Sequence, residues 1–226
     1  MIERFDMKRF KLVLAIAAAL VLTTSCAVTK YASEVPASQV TSIALLQPLS
    51  YIDYFDNNHN MTRNDTLCTA SSAMVAKVAG EFLPIDCVIP VNYTEEMAAE
   101  VDVLPGLDPK TLMSATIPEA TRELILGSGH RYGAVVFARG FTRERGGYAS
   151  DIAKGVILGI ATAVLTMGMV SAYGIPEKCE SQISLMIVDA EANRVIYYDR
   201  SLTNELEPLK ENSIRSQLKS VLKGFK

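Results

Sequence analysis

The sequence predicts one α/β (α+β) domain: a mixed central sheet of about five strands with helices packed against it. The order is β-α-β-α-β, an apolar helical insertion, then β-β-α. Three observations predict it. Short apolar runs stopped by proline or turn residues read as buried strands. Between them apolar residues recur every three or four positions, the spacing of helices with one covered face. Near the end, two apolar runs flank a polar turn and an amphipathic helix follows, which is a hairpin with a packing helix.

The chain opens with Lys8, Arg9 and Lys11 ahead of the apolar run Leu12 to Leu22, which closes on Thr23-Thr24-Ser25-Cys26. A basic region, a short apolar stretch and small residues before a cut describe a secretory signal peptide over residues 1–25, too short to stay across a bilayer. The rest of the chain is then expected outside the cytoplasm. A cysteine directly after the cut resembles the bacterial lipoprotein box, which implies that Cys26 receives lipid, palmitate included, and becomes the mature amino terminus. The box prefers leucine three places before the cysteine; here Thr23 stands there, with Leu22 one place further back. The alternative is ordinary cleavage, after Ala27 for example, with no lipid. Glu3 and Asp6 are unusual ahead of a basic region, so Met7 is an alternative start.

Residues 26–41 read as the lipidated cysteine and a polar tether with Pro36; residues 42–226 form the domain, with an apolar insertion at about 150–175. Ser42 to Pro48 is a short apolar run stopped by proline, which suits a buried strand. Asp53 to Thr66, rich in Asn and Asp, reads as a long loop. From Thr69 to Phe82 the residues Ala70, Met74, Val78 and Phe82 share one face of a helix closed by Pro84. Ile85 to Val91 is the second strand. Asp108-Pro109 opens a turn of helix, and Thr116 with Pro118 and Glu119 opens another that buries Ala120, Leu124 and Ile125 and stops at Gly127 or Gly129. Tyr132 to Ala138 is the strongest strand. Ile183–Asp189 and Val195–Tyr198 make the hairpin, and Leu206 to Phe225 is the closing helix with Leu209, Ile214, Leu218, Val221, Leu222 and Phe225 inward.

Residues 1–25 hold four of the 22 basic and two of the 25 acidic residues, which leaves 18 against 23 and a net charge of −5. That balance argues against nucleic acid as a partner. The whole chain is 49% apolar, and the roughly 200 residues after the leader suit one folded domain. Cys68, Cys87 and Cys179 remain after Cys26, an odd number where disulfides are permitted. One bridge of unassigned pairing with a spare thiol, or three buried free thiols, are both open. No cysteine pair has the spacing of a zinc site.

Ile152 to Tyr173 is almost uninterrupted apolar sequence, and as a helix it would reach roughly 30 Å, the thickness of a bilayer core. Gly155 and Gly159 are four apart, and Thr162 and Thr166 share a face, as in close-packed helix pairs. Three roles fit: a helix covered by the sheet, an element entering or lying on a membrane, and a surface through which copies associate. Arg139, Arg143 and Arg145 with Gly146-Gly147 read as a polar, mobile lead-in that could also meet anionic headgroups.

The opening Ile43-Ala44-Leu45-Leu46-Gln47-Pro48, the passage Ser128-Gly129-His130-Arg131-Tyr132-Gly133-Ala134-Val135-Val136, the hairpin and the closing helix together carry a resemblance. The layout over about residues 42–224 resembles the amino-terminal domain of TolB and the periplasmic domains of small outer-membrane lipoproteins, including the curli-secretion channel lipoproteins. The resemblance implies a non-enzymatic assembly, secretion or envelope-maintenance role. The polar loop at 53–66 and the insertion at 140–180 depart from it.

Recognisable catalytic chemistry is missing. Gly127-Ser128-Gly129 lies between a helix and the following strand, the wrong order for phosphate binding. Ser216-Gln217-Leu218-Lys219 and Ser220-Val221-Leu222-Lys223 match a nucleophile spacing but lack its companion motifs. Asp53, Asp56 and His59 fall within seven residues, yet Asp/Asn loops are far more often turn formers than cation sites. Asp65-Thr66-Leu67 looks like an O-glycosylation acceptor of Bacteroidetes envelope proteins, with Thr66 alternatively a helix cap. Lys210, Arg215, Lys219 and Lys223 read as the solvated face of the last helix.

The expectation is therefore a lipid-anchored cell-envelope protein with no cofactor, metal or catalytic residues. It would sit on the periplasmic face of the outer membrane and meet other envelope proteins or further copies of itself. The alternatives are an oligomeric channel or secretion subunit that inserts residues 152–173, and a secreted hydrolase with an unrecognised site.

Overall fold

The computed structural model describes residues 31–32, 35–56, 60–103, 107–144 and 178–225. The expected signal peptide, Cys26, His59 and the apolar segment with Gly155, Gly159, Thr162 and Thr166 lie outside the described residues. The strands are β1 (Tyr31–Ala32), β2 (Ile43–Leu46), β3 (Leu49–Phe55), β4 (Met61–Arg63), β5 (Ile85–Ile89), β6 (Tyr132–Arg143), β7 (Cys179–Asp189) and β8 (Arg194–Arg200). The helices are α1 (Asp65–Ala79), α2 (Glu95–Val103), α3 (Pro109–Ser114), α4 (Glu119–Gly127) and α5 (Glu211–Val221).

All eight strands join one mixed sheet with the path β1-β8-β7-β6-β2-β5. β2 and β3 run end to end along one side of β6, both parallel to it, β2 against Tyr132–Ala134 and β3 against Phe137–Arg143. They part at Gln47-Pro48, where proline removes a ladder donor. Outside them lie β5, parallel to β2, and β4, antiparallel to β3. β7 and β8 continue antiparallel on the other side.

The predicted mixed α/β architecture is the one observed, with three strands more than the five expected. The loop expected over residues 53–66 is a hairpin, β3 to β4, running straight into α1. β4 is fully exposed, so no apolar pattern marks it. Part of the expected tether pairs as β1 with Tyr197 and Tyr198 of β8. Main-chain hydrogen bonds make that pairing, and they leave no trace in the side chains.

Each sheet face carries its own core. On one, Ile43, Leu45, Val136, Ile183 and Leu185 pack under Val75 and Val78 of α1 and Ile214, Leu218 and Val221 of α5. On the other, Leu46, Val135, Phe137, Met186 and Tyr198 meet Leu112 of α3, Ile117 and Ile125 of α4. The central strands are thus buried on both sides, which is why Tyr132–Ala138 is apolar throughout.

Helix α1 begins four residues before the predicted start, and its inward face keeps Val78 and, half-buried against the core, Met74 from the predicted one. Ser71, Ser72, Val75, Val78 and Ala79 are buried, Ala70 is exposed, and Phe82 lies past the helix end. The serines are tolerated because Ser72 donates to the Pro48 carbonyl at 2.7 Å and Ser50 to Ser71 at 3.3 Å. Asn64 caps the helix, accepting from the Leu67 N–H at 3.1 Å, so Thr66 is an exposed first-turn residue and not the cap. Asp108 caps α3 as predicted, accepting from Thr111 N–H at 3.2 Å. Thr116 does not cap α4, whose N-cap is Pro118 without a side-chain bond. The hairpin turn holds Asn193 at φ 48°, and its Oδ1 accepts from the Ile117 N–H at 3.1 Å.

Candidate functional site

Two side-chain constellations lie outside the two cores. The first occupies the end of the sheet formed by β3, β4 and the distal half of β6. Register sets Tyr51 opposite Arg139, Asp53 opposite Phe141 and Arg63, and Phe55 opposite Arg143 and Met61. Directly opposed residues share a face, so these side chains form one surface. The Arg63 guanidinium lies 4.2 Å from the Tyr51 ring centroid and that of Arg139 lies 5.7 Å from it. Arg143 sits 4.2 Å from the Phe55 centroid and 5.5 Å from that of Phe141, and the two phenyl rings meet edge to face at 5.1 Å. Guanidinium groups over aromatic rings are a common setting for recognition of phosphate or carboxylate.

Arg139 and Arg143 were expected in a mobile lead-in; both belong to β6, while Arg145 lies outside the described residues. The alternation Arg139-x-Phe141-x-Arg143 is the period of a strand, a signal present in the sequence but masked by the neighbouring glycines. β6 and β7 stay paired to Thr142 opposite Cys179, so residues 144–178 leave and rejoin the sheet at adjacent positions.

The second constellation stands at the β5 edge. Ile43 pairs with Ile85 but Ala44 with Cys87, so Asp86 is the extra residue of a bulge. The bulge turns two consecutive side chains toward His130, which follows α4. His130 Nδ1 lies 4.0 Å from Cys87 Sγ, 3.0 Å from Ser128 Oγ and 3.0 Å from the Ser128 carbonyl. Nε2 lies 3.5 Å from Asp86 Oδ2, and Ser42 donates a short hydrogen bond to the same carboxylate oxygen. His130 is largely enclosed, Cys87 half-buried and Asp86 exposed. Ser128 also borders a groove of about 610 Å³ whose walls include Ile89, Val91, Met97 and Leu124. Only Cys87 was singled out from sequence, as a disulfide candidate; the approach of residues 43 apart to one imidazole leaves no local signal.

No bridge forms among the three predicted cysteines: Cys68, Cys87 and Cys179 are free thiols. The Ile52 N–H donates to Cys68 Sγ at 3.2 Å, and Cys179 is buried at the start of β7. Burial, then Glu207 and Glu205, push the Cys179 thiol up from its ordinary value. Of Asp53, Asp56 and His59, the last lies outside the described residues, and Asp56 accepts from the Asn60 N–H at 2.8 Å and side-chain amide at 3.0 Å. Among the described residues no group of three His, Cys, Asp or Glu side chains is placed to hold a metal. Ser216, Lys219, Ser220 and Lys223 line a surface groove beside Phe82 and Phe225. Arg215 is drawn out of the basic row by ion pairs to Glu81 and, at 2.6 Å, to Glu211. No helix among the described residues is long and apolar enough to cross a membrane.

No family model and no curated protein matches the sequence. Among solved structures the chain is similar to a single-substitution variant of the PelC dodecamer from Paraburkholderia phytofirmans, at 8% identity over 86% of this chain and 95% of that one, with a TM-score of 0.40. A second PelC dodecamer from the same organism gives 9% identity, 86% and 93% coverage and a TM-score of 0.39. The LpoB C-terminal domain from Salmonella enterica gives 7% identity, 77% and 88% coverage and a TM-score of 0.31. Likenesses of this strength carry no functional argument.

Proposed function

We propose that the chain is a lipid-anchored cell-envelope protein facing the periplasm, with a structural, assembly or secretion-accessory role carried by surface contacts. Its location rests on the basic and apolar leader that runs into Cys26. The observation that carries its mode of action is the arginine–aromatic surface at the end of the sheet, where Arg63, Arg139 and Arg143 lie over Tyr51, Phe55 and Phe141. Surfaces of this kind meet anionic groups, and phosphate headgroups lie within reach of a chain tethered by its amino terminus. Acyl chains on Cys26 hold the protein at the leaflet, and the arginines orient the domain against it.

Flotation of the full chain carrying Cys26→Ala tests this. Binding is expected to vesicles containing anionic phospholipid and not to zwitterionic ones. At about 1 kcal/mol per basic residue near such a surface, replacing Arg63, Arg139 and Arg143 by alanine weakens it roughly a hundred-fold. Equal binding by the triple variant removes the proposal.

A second reading, an oligomeric channel or secretion subunit with residues 152–173 in the bilayer, is favoured by one observation. Both ends of the segment 144–178 join the sheet at the arginine-bearing end. Retention of the Cys26→Ala chain in membranes after carbonate extraction supports insertion, and complete release excludes it.

A further inference from the structure

We infer that Cys87, His130 and Asp86 form a thiol-exchange site, in which Cys87 attacks a low-molecular-weight or peptide disulfide presented along the groove beside β5. This site is separate from the arginine-bearing surface and does not depend on its role.

The geometry makes the case through the imidazole. Its Nδ1 faces the Ser128 carbonyl at 3.0 Å and its Nε2 faces the Asp86 carboxylate at 3.5 Å. Ser128 Oγ lies 3.0 Å from the same Nδ1 and Cys87 Sγ 4.0 Å from it. A thiol beside an imidazole nitrogen can pass its proton to the ring, which leaves the nucleophilic thiolate. Asp86 is a positioning residue: Ser42 holds its carboxylate, and the carboxylate holds the far edge of the ring. The bulge is what allows this. In a regular strand Asp86 and Cys87 would point to opposite faces, whereas the extra residue brings both to one histidine.

The other two thiols lack this environment. Cys68 is engaged with the Ile52 main chain at 3.2 Å, and Cys179 is buried with its thiol pushed up by burial and neighbouring glutamates. Of the three, Cys87 combines partial exposure with an adjacent imidazole, and the groove begins beside it at Ile89, two residues along the same strand, and at Ser128, which contacts His130.

In the step itself, the Cys87 sulfur attacks one sulfur of the incoming disulfide. A Cys87–S–S–R bond forms, the original S–S bond breaks, and the departing thiolate takes its proton from His130. Cys87 is oxidised, one half of the incoming disulfide is reduced to a thiol, and His130 is left neutral.

The test is peptide-resolved mass spectrometry of the intact protein in detergent during reaction with 2-hydroxyethyl disulfide at neutral pH. Cys87 is expected to form the mixed disulfide first, roughly ten-fold ahead of Cys68, with Cys179 last. His130→Gln is expected to slow Cys87 roughly ten-fold while leaving Cys68 unchanged, and Asp86→Asn to slow it by a smaller factor. The inference is overturned if Cys87 reacts no faster than Cys68, or if His130→Gln folds and leaves the Cys87 rate where it was. Should that variant fail to fold, the order of the three thiols in the unmodified chain decides alone.

Discussion

Gly140 stands in β6 where a side chain would have no room beside β7. It pairs with Ser181, and a Cβ built on it would collide with the Glu180 carbonyl oxygen and lie 3.0 Å from the carbonyl carbon and 3.1 Å from the Ser181 Cα. These are main-chain atoms of the longest strand pair in the sheet, so no side-chain rotation relieves the contact. Gly140→Ala must push β6 and β7 apart, with overpacking of about 3 kcal/mol, the upper end for such changes. The smaller freedom of alanine in the unfolded chain returns about 0.5–1 kcal/mol, which leaves a net loss of about 2 kcal/mol. Gly133 is the internal comparison. A Cβ there would meet the Ile125 side chain, with Cγ1 at 2.7 Å and Cγ2 at 3.4 Å, and a side chain can turn aside. Gly133→Ala is therefore expected to cost about 1 kcal/mol. Urea unfolding followed by tyrosine fluorescence measures both, since the chain has nine tyrosines and no tryptophan. A Gly140→Ala chain as stable as the parent, or one more stable than Gly133→Ala, would mean that the strand pair yields freely and that this approach is not tight.

Other outcomes follow from buried polar groups. Asp189 is fully buried; burial pushes its carboxyl up, but hydrogen bonds from Arg131 and the Ala192 N–H outweigh this and hold it below its usual value. A depressed carboxyl stabilises above its unfolded value and loses that contribution as pH falls through its folded one. Asp189→Asn should therefore lower the urea midpoint at pH 7, and the gap to the parent should close below about pH 4; a gap that persists in acid contradicts the pairing. Thr121 Oγ1 is buried with no partner among the described residues, so Thr121→Val should leave stability unchanged or raise it by up to about 1 kcal/mol in the same assay. The Tyr197 hydroxyl donates to the Val221 carbonyl and ties β8 to the end of α5. Tyr197→Phe should cost about 1–2 kcal/mol, and amide exchange in α5 should quicken more than exchange in α1.

The strands buried on both faces were legible because their composition is the same from either side: Ile43–Leu46, Tyr132–Ala138 and Ile183–Asp189 are apolar almost without interruption. The closing helix was legible for the complementary reason, a single stripe through Ile214, Leu218 and Val221. α1 was found with Met74 and Val78 of its predicted face on the core, but Ser71 and Ser72 were missed because they are satisfied there by Pro48 and Ser50, partners more than twenty residues away. The hairpin partner β4 was missed because Met61–Arg63 is exposed and gains only main-chain pairing. Of the candidate site residues, Cys68, Cys87 and Cys179 are described as free thiols, and Thr66 as an exposed residue on α1. Cys26, Gly155, Gly159, Thr162 and Thr166 lie outside the described residues.

From its residues alone the chain carries the pattern expected of an export leader ending at a cysteine, an acidic balance, and the elements of a mixed sheet with helices. The charge balance is a count; the others depend on neighbours close in sequence, which is the range over which sequence pattern carries information. Only the folded chain brings Arg63 over the same ring as Arg139, and only a bulge at Asp86 delivers two adjacent side chains to His130. Those encounters join segments tens of residues apart, and strand register and local backbone irregularity decide them where periodicity has nothing to say.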